Sequence, residues 1–132
     1  MKRLFIAVIL IACICIPAVA EEKACSENLL ENAPYNDEKM GKRKLVDEDH
    51  LLLMQIALKP GQALPEHKAN ANVHFIVLEG EVTIDLAGKV FVAKTGDLVP
   101  VEYKTLMNIS NKSEENTTFV VLKTPSPGQM EK

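Results

Sequence analysis

Turn signals at short, regular intervals are the feature that most limits what this chain can fold into. Between residues 59 and 97 there are four of them: Lys59-Pro60-Gly61, Glu79-Gly80, Ala87-Gly88 and Thr95-Gly96-Asp97. The stretches that separate them are long enough for strands but too short for helices of ordinary length. The spacing therefore predicts an all-β domain.

The residues between the turns support the same prediction. Seven short runs are rich in Val, Ile, Phe and Thr, which strands prefer: HLLLMQIAL, VHFIVL, EVTIDL, KVFVA, DLVPV, TLMNI and TTFVVLK. After the first twenty residues, no segment of helical length has an apolar period of about 3.6 residues. Several short strands at regular spacing are typical of a single-domain β-sandwich or barrel.

The first twenty residues, MKRLFIAVILIACICIPAVA, have the layout of a secretory signal peptide. Basic residues precede an apolar run, and small residues stand at its end. We therefore expect cleavage after Ala20 and a periplasmic or secreted protein.

An uncleaved membrane anchor is less favoured, because the apolar run from Leu4 to Ala20 has 17 residues and a span needs about 20. A lipoprotein with acylated Cys13 is also less favoured, because the apolar run continues past Cys13. The chain would contact a membrane only in these two alternatives.

The chain that remains after cleavage is acidic. It keeps thirteen basic and eighteen acidic side chains, giving a formal charge of −5, and without a basic stripe it is a poor candidate for nucleic-acid binding.

Cys25 is the only cysteine of the chain that remains after cleavage, so no intramolecular disulfide can form. We expect an inert Cys25 in a polar N-terminal arm (residues 21–44), rather than a reactive thiol or a link to another molecule. The predicted barrel domain spans 45–124, followed by a tail at 125–132.

The stretch PGQALPEHKANANVHFIVLEGEV holds two of the three histidines, His67 and His74. A transition-metal site needs about three or four converging histidine, cysteine or carboxylate ligands. The nearest carboxylates are Glu66 and Glu79, and the spacing gives neither of them a defined place beside the histidines. Two histidines in this pattern indicate a metal site only weakly.

The spacing around His67 nevertheless resembles the first motif of the cupin family: Gly, five residues, His-x-His, three or four residues, Glu, six residues, Gly. In this sequence Gly61, His67 and Gly80 keep the frame. The second His of the motif falls at Ala69 and the Glu falls at Val73. His74 has no ligand position in this frame, and we expect it to be a packed or surface residue.

The stretch GDLVPVEYKTLMNISN, from Gly96 to Asn111, resembles the second cupin motif in its spacing. The ligand His of that motif is replaced by Met107, while the closing Asn111 is kept. The resemblance covers roughly residues 51–123 and implies a double-stranded β-helix, the cupin or jelly-roll barrel with two antiparallel sheets. It also implies that only one of four metal-ligand positions, His67, still carries a ligand, so no cofactor is expected.

The resemblance, combined with strand alternation, predicts a pocket. If Val73 and Met107 point inward like their counterparts in the family, the residues two and four positions away do so as well. The predicted lining is His67, Ala69, Val73, Phe75, Val77, Thr105, Met107 and Ile109. An apolar cavity with one imidazole suits a small apolar or amphipathic ligand. The alternative is that these side chains fill the barrel, as in narrow barrels.

These features favour an exported cupin that binds a small molecule or a protein partner through its barrel without catalysis, although enzymatic activity stays open. One enzyme alternative uses His67 and Met107 as copper ligands, since imidazole and thioether suit Cu(I). Another uses His67 as a metal-free general acid or base. The resemblance also allows a homodimer formed through an exposed strand edge.

Overall fold

The computed structural model describes residues 25–130 and 132. The expected signal peptide, with Cys13, lies outside the described residues. The described chain forms nine strands and one 3-10 helix: β1 (Gly41–Glu48), β2 (Leu51–Leu58), β3 (Ala63–Lys68), β4 (Asn72–Glu79), β5 (Glu81–Leu86), β6 (Lys89–Lys94), β7 (Leu98–Val101), β8 (Leu106–Ser110), β9 (Thr117–Thr124) and the 3-10 helix Pro127–Gln129. Within this described part, no helix is long and apolar enough to cross a membrane.

The strands form two antiparallel sheets, which confirms the predicted all-β class and its two-sheet architecture. One sheet has five strands in the order β1-β2-β9-β4-β7, and the other has four in the order β3-β8-β5-β6. The seven predicted strands correspond to β2 and to β4 through β9. The sequence did not predict β1, which begins at Gly41, before the expected start of the barrel at Leu45, and it did not predict β3.

The core lies between the inner faces of the two sheets. Phe75 of β4 and Phe119 of β9 meet edge to face, with ring centroids 5.7 Å apart. Both are almost fully buried, as are Ile84 and Ile109 of the facing sheet. Burying each such side chain contributes roughly 1.5–3 kcal/mol, so this cluster holds the two sheets together.

The N-terminal arm covers part of the outer face of the five-stranded sheet. The fully buried side chain of Gln55 attaches the arm, because its Nε2 donates to the backbone carbonyl of Leu29 at 2.7 Å and to Thr118 Oγ1 at 3.0 Å. Its Oε1 accepts from Arg43 Nε at 3.1 Å and Nη2 at 2.9 Å. Arg43 also forms an ion pair with Glu27 of the arm. The arm is therefore packed on the sheet from Glu27 onward, while Cys25 is exposed.

The connection between β8 and β9 is organised by Asn111, whose side chain is fully buried. Its Nδ2 donates to the carbonyls of Leu58 at 3.0 Å and Glu115 at 2.7 Å, and its Oδ1 accepts from the Ser113 backbone N–H at 3.0 Å. One amide thus ties the end of β2 to this connection.

Candidate functional site

A pocket of about 290 Å³ opens between the two sheets. Four of its lining residues, Ile56, Phe75, Met107 and Val121, are buried, and we refer to them as the floor. The other lining residues are partly or fully exposed and form the rim: Met40, Lys42, Met54, Leu64, Pro65, His67 and Lys123. The floor is entirely apolar, and the only charged or titratable side chains of the lining lie on the rim.

An irregularity in β3 gives the rim two of its residues. Leu64 pairs with Ile109 and His67 pairs with Met107, so three steps along β3 match two steps along β8. In a regular strand, residues three apart point to opposite faces. The extra residue re-aims the strand in the manner of a β-bulge, and both Leu64 and His67 therefore line the pocket.

The imidazole of His67 is oriented by a local hydrogen bond. Its Nδ1 lies 2.8 Å from the backbone carbonyl of Pro65, and since a carbonyl can only accept, Nδ1 donates. In the neutral ring, Nε2 is then an acceptor. His67 is half-buried, and its cross-strand partner is the floor residue Met107.

The structure brings together three of the eight residues predicted to line a pocket: His67, Phe75 and Met107. Ala69, Val73, Val77 and Ile109 are buried in the hydrophobic core and are not part of the lining. The remaining residue, Thr105, lies in the turn before β8, where its carbonyl accepts from the Ala69 backbone N–H at 2.8 Å. Part of the barrel is thus filled and part of it is open.

His74 lies away from the pocket. Its neighbours in β4, Val73 and Phe75, are buried on the inner side, whereas His74 is half-buried and pairs with Pro100 and Leu122. Alternation along the strand places it on the outer face of the five-stranded sheet.

Sequence reasoning missed most of the rim and half of the floor: Met40, Lys42, Met54, Ile56, Leu64, Pro65, Val121 and Lys123. A usable signal was present in β9. Phe119, Val121 and Lys123 share one face at i, i+2 and i+4, so the buried side of TTFVVLK ends in a lysine. A charge on the inner face of a strand marks either a strand end or a site.

The rim lysine Lys123 is affected by its surroundings and by the second rim lysine, Lys42. Desolvation by burial and the nearby positive charge of Lys42 lower the pKa of the Lys123 ammonium. Lys123 Nζ donates to the side-chain oxygen of Asn70 at 2.9 Å, a neutral partner. Among the residues that the structure describes, neither lysine forms an ion pair with a carboxylate.

The residues at the metal-ligand positions implied by the cupin resemblance do not fit an imidazole and carboxylate metal site. Ala69 and Val73 have no donor atoms and are almost fully buried. Across residues 25–130 and 132, no three His, Cys, Asp or Glu side chains are grouped so that they could hold a metal ion. Hard and borderline metals need such ligands.

Comparison with known proteins gives consistent matches. The family model described as "Cupin domain" matches residues 54–123. The uncharacterised protein MJ0764 of Methanocaldococcus jannaschii is 33% identical over 88 residues, which cover 66% of this chain and 76% of the relative.

Two crystal structures show the extent of the structural similarity. The structure of MJ0764, an RmlC-like cupin family protein with a double-stranded β-helix fold, has a TM-score of 0.68 and 29% identity, covering 74% of this chain and 93% of the other. The structure of TT1209 from Thermus thermophilus has a TM-score of 0.71 and 26% identity, covering 76% of this chain and 96% of the other.

Proposed function

Because the chain belongs to the cupin family and has its double-stranded β-helix, we propose that it is an exported, non-catalytic protein that binds a small amphipathic molecule in the pocket. The observation that carries this proposal is the division of the pocket into an apolar floor and a polar rim. Small-molecule sites generally combine apolar walls with a few polar groups that fix the orientation of the ligand.

The lining chemistry supports binding over catalysis. Of the described residues that form the pocket, none has a hydroxyl, thiol or carboxylate side chain, so nucleophilic and paired-carboxylate mechanisms lack their usual groups. His67 is the single imidazole, and its Nδ1 is already engaged with the Pro65 carbonyl. A single oriented imidazole serves a binding site as a hydrogen-bond acceptor for the ligand.

The export part of the proposal is supported by the sequence of residues 1–20. A location outside the cytoplasm would give the pocket access to small molecules of the cell exterior or periplasm. Fractionation of cells producing the full chain tests this point, and recovery of the protein with residues 1–20 intact in the cytosol would contradict it.

The binding proposal is tested by native mass spectrometry and thermal shift on the purified protein. We expect a retained small molecule, or a rise in Tm with octanoate or n-octanol as apolar probes. Leu64→Trp, on the rim, should fill the pocket and abolish both effects. Val92→Trp, at a residue 47% exposed, is the matched control and should leave them intact. The binding proposal is wrong if no molecule is retained and neither probe shifts the Tm of the wild type more than that of Leu64→Trp.

A copper site is a second candidate, favoured by one specific observation. His67 and Met107 are cross-strand partners, and Met40 and Met54 line the same pocket. One imidazole and three thioethers are soft donors that suit Cu(I). The positive charges of the two rim lysines oppose a bound cation, and for this reason we rank this candidate second.

Cu(I) titration under reducing conditions separates the two candidates. A small-molecule binder should take up no stoichiometric copper. One copper ion per chain, lost in Met107→Leu but kept in Met130→Leu, would establish the copper site and would reopen the question of a copper enzyme.

A further inference from the structure

Lys123 occupies an unusual place for a lysine, on the inner face of a central strand. β9 lies between β2 and β4, and Lys123 pairs with Leu52 on one side and Val73 on the other. Both neighbours are buried apolar residues. Charged side chains are rarely placed in such surroundings unless a partner compensates for the lost hydration.

Lys42 brings a second positive charge to the same rim. It pairs in register with the floor residue Ile56, and its charge contributes to the lowered pKa of Lys123. Two like charges that face a common space are unfavourable, and an anion placed between them would relieve this repulsion. The described lining has no acidic side chain that could supply this negative charge.

From this arrangement we infer that the pocket binds an amphipathic anion, with its anionic group held by Lys42 and Lys123 and its aliphatic body packed on the floor. The inference rests on the proposed binding function and names the chemical class of its ligand, a monocarboxylate with an aliphatic chain. The anionic group pairs with the two ammonium groups, and the chain replaces water against Ile56, Phe75 and Val121.

The donor and acceptor positions of the His67 ring indicate which group of the ligand it can contact. With Nδ1 donating to Pro65, the neutral ring presents an acceptor at Nε2, which would repel a carboxylate. In that form of the ring, the lysines and not the imidazole are the partners of the carboxylate. A hydroxyl on the aliphatic chain would be the group that pairs with His67.

Calorimetric titration of the purified protein with octanoate and n-octanol tests the inference, because the two probes share an aliphatic chain and differ in charge. We expect octanoate to bind at least about tenfold more tightly, equivalent to about 1.4 kcal/mol. Lys123→Met should remove most of this difference and Lys42→Met part of it. Lys94→Met, the same change at an exposed residue of β6, is the control and should have no effect.

Each outcome has a separate meaning. Equal binding of both probes, or an equal effect of Lys94→Met and Lys123→Met, would overturn the anion inference and leave the binding function standing. If neither probe binds the wild type more tightly than it binds Leu64→Trp, the inference is wrong. If, in addition, no molecule is retained by the purified wild type, the binding function itself is wrong. A Tm measured for every variant confirms that each is folded.

Discussion

Replacing Gln55 with methionine should detach the N-terminal arm from the sheet and destabilise the protein by about 3 kcal/mol. The amide makes four hydrogen bonds, two of them to the Arg43 guanidinium. A neutral hydrogen bond contributes about 1 kcal/mol net and one to a charged group about 1.5–3 kcal/mol. Arg43 keeps its ion pair with Glu27 and is 27% exposed, so water replaces most of the two hydrogen bonds that its guanidinium loses. About 1 kcal/mol of their contribution is then lost, beside about 2 kcal/mol for the two neutral hydrogen bonds. Methionine keeps the bulk of the side chain, which restricts the loss mainly to the hydrogen bonds.

The assay is urea unfolding monitored by circular dichroism. The change in the midpoint urea concentration is converted to a free energy of unfolding with a constant m-value, the slope of that free energy against urea concentration. For a domain of this size, 3 kcal/mol corresponds to a fall in Tm of about 10 °C. Limited trypsin digestion adds a local readout, because release of the arm should speed cleavage after the exposed residue Lys39.

Gln129→Met is the matched control. Within the described residues the Gln129 side chain makes no hydrogen bond, and it lies at the end of the 3-10 helix, so we expect a change within about 0.5 kcal/mol. A loss below about 1 kcal/mol for Gln55→Met, with unchanged digestion at Lys39, would show that the arm is held by other contacts and would refute the reasoning.

Three further predictions concern stability. Lys123→Met should raise the Tm near pH 7 by the equivalent of up to about 1 kcal/mol. The lowered pKa of Lys123 means that its charged form is disfavoured in the folded state, so the gain should shrink as pH approaches 10.5 and the lysine becomes neutral in both states. A gain that does not change with pH would contradict this cause. Asn111→Asp should cost at least about 3 kcal/mol by urea unfolding, because a buried carboxylate would face the carbonyls of Leu58 and Glu115, which now accept from Nδ2. Gly80→Ala should cost about 2–4 kcal/mol, since Gly80 has φ +74° and an added Cβ would overlap the Asn116 carbonyl. Gly88→Ala, with φ +92° but open space around it, should cost only about 1 kcal/mol of backbone strain, and equal costs at the two glycines would be evidence against the overlap.

The two strands that the sequence did not predict share a physical reason. Both lack a regular alternation of apolar and polar residues, which the predicted edge strands β6 (KVFVAK) and β7 (LVPV) keep. β1 (GKRKLVDE) carries charge on both faces, and β3 (ALPEHK) contains Pro65 and a register shift. Period-2 alternation detects strands with one buried face, and these two lack it.

The candidate site was predicted in part for the same reason. His67, Phe75 and Met107 were found because the motif spacing and strand alternation place them on inner faces. The rim residues Met40 and Lys42 come from β1 and the segment before it, which the sequence assigned to the arm. The alternation in β9 places Lys123 on the inner face, but the strands that it meets there are set by pairing between distant parts of the chain, which no local pattern contains.

The central position of β9 has a consequence for ligand selectivity. A strand that is hydrogen-bonded on both sides shifts little to accommodate a ligand, so in the proposed complex Lys123 would hold the carboxylate near one end of the pocket. The aliphatic chain of the proposed ligand then packs against buried side chains of β2, β4, β8 and β9. Affinity along a homologous series of acids should rise with each added methylene until the chain reaches the end of the floor and then fall sharply, so the barrel would select acids by length.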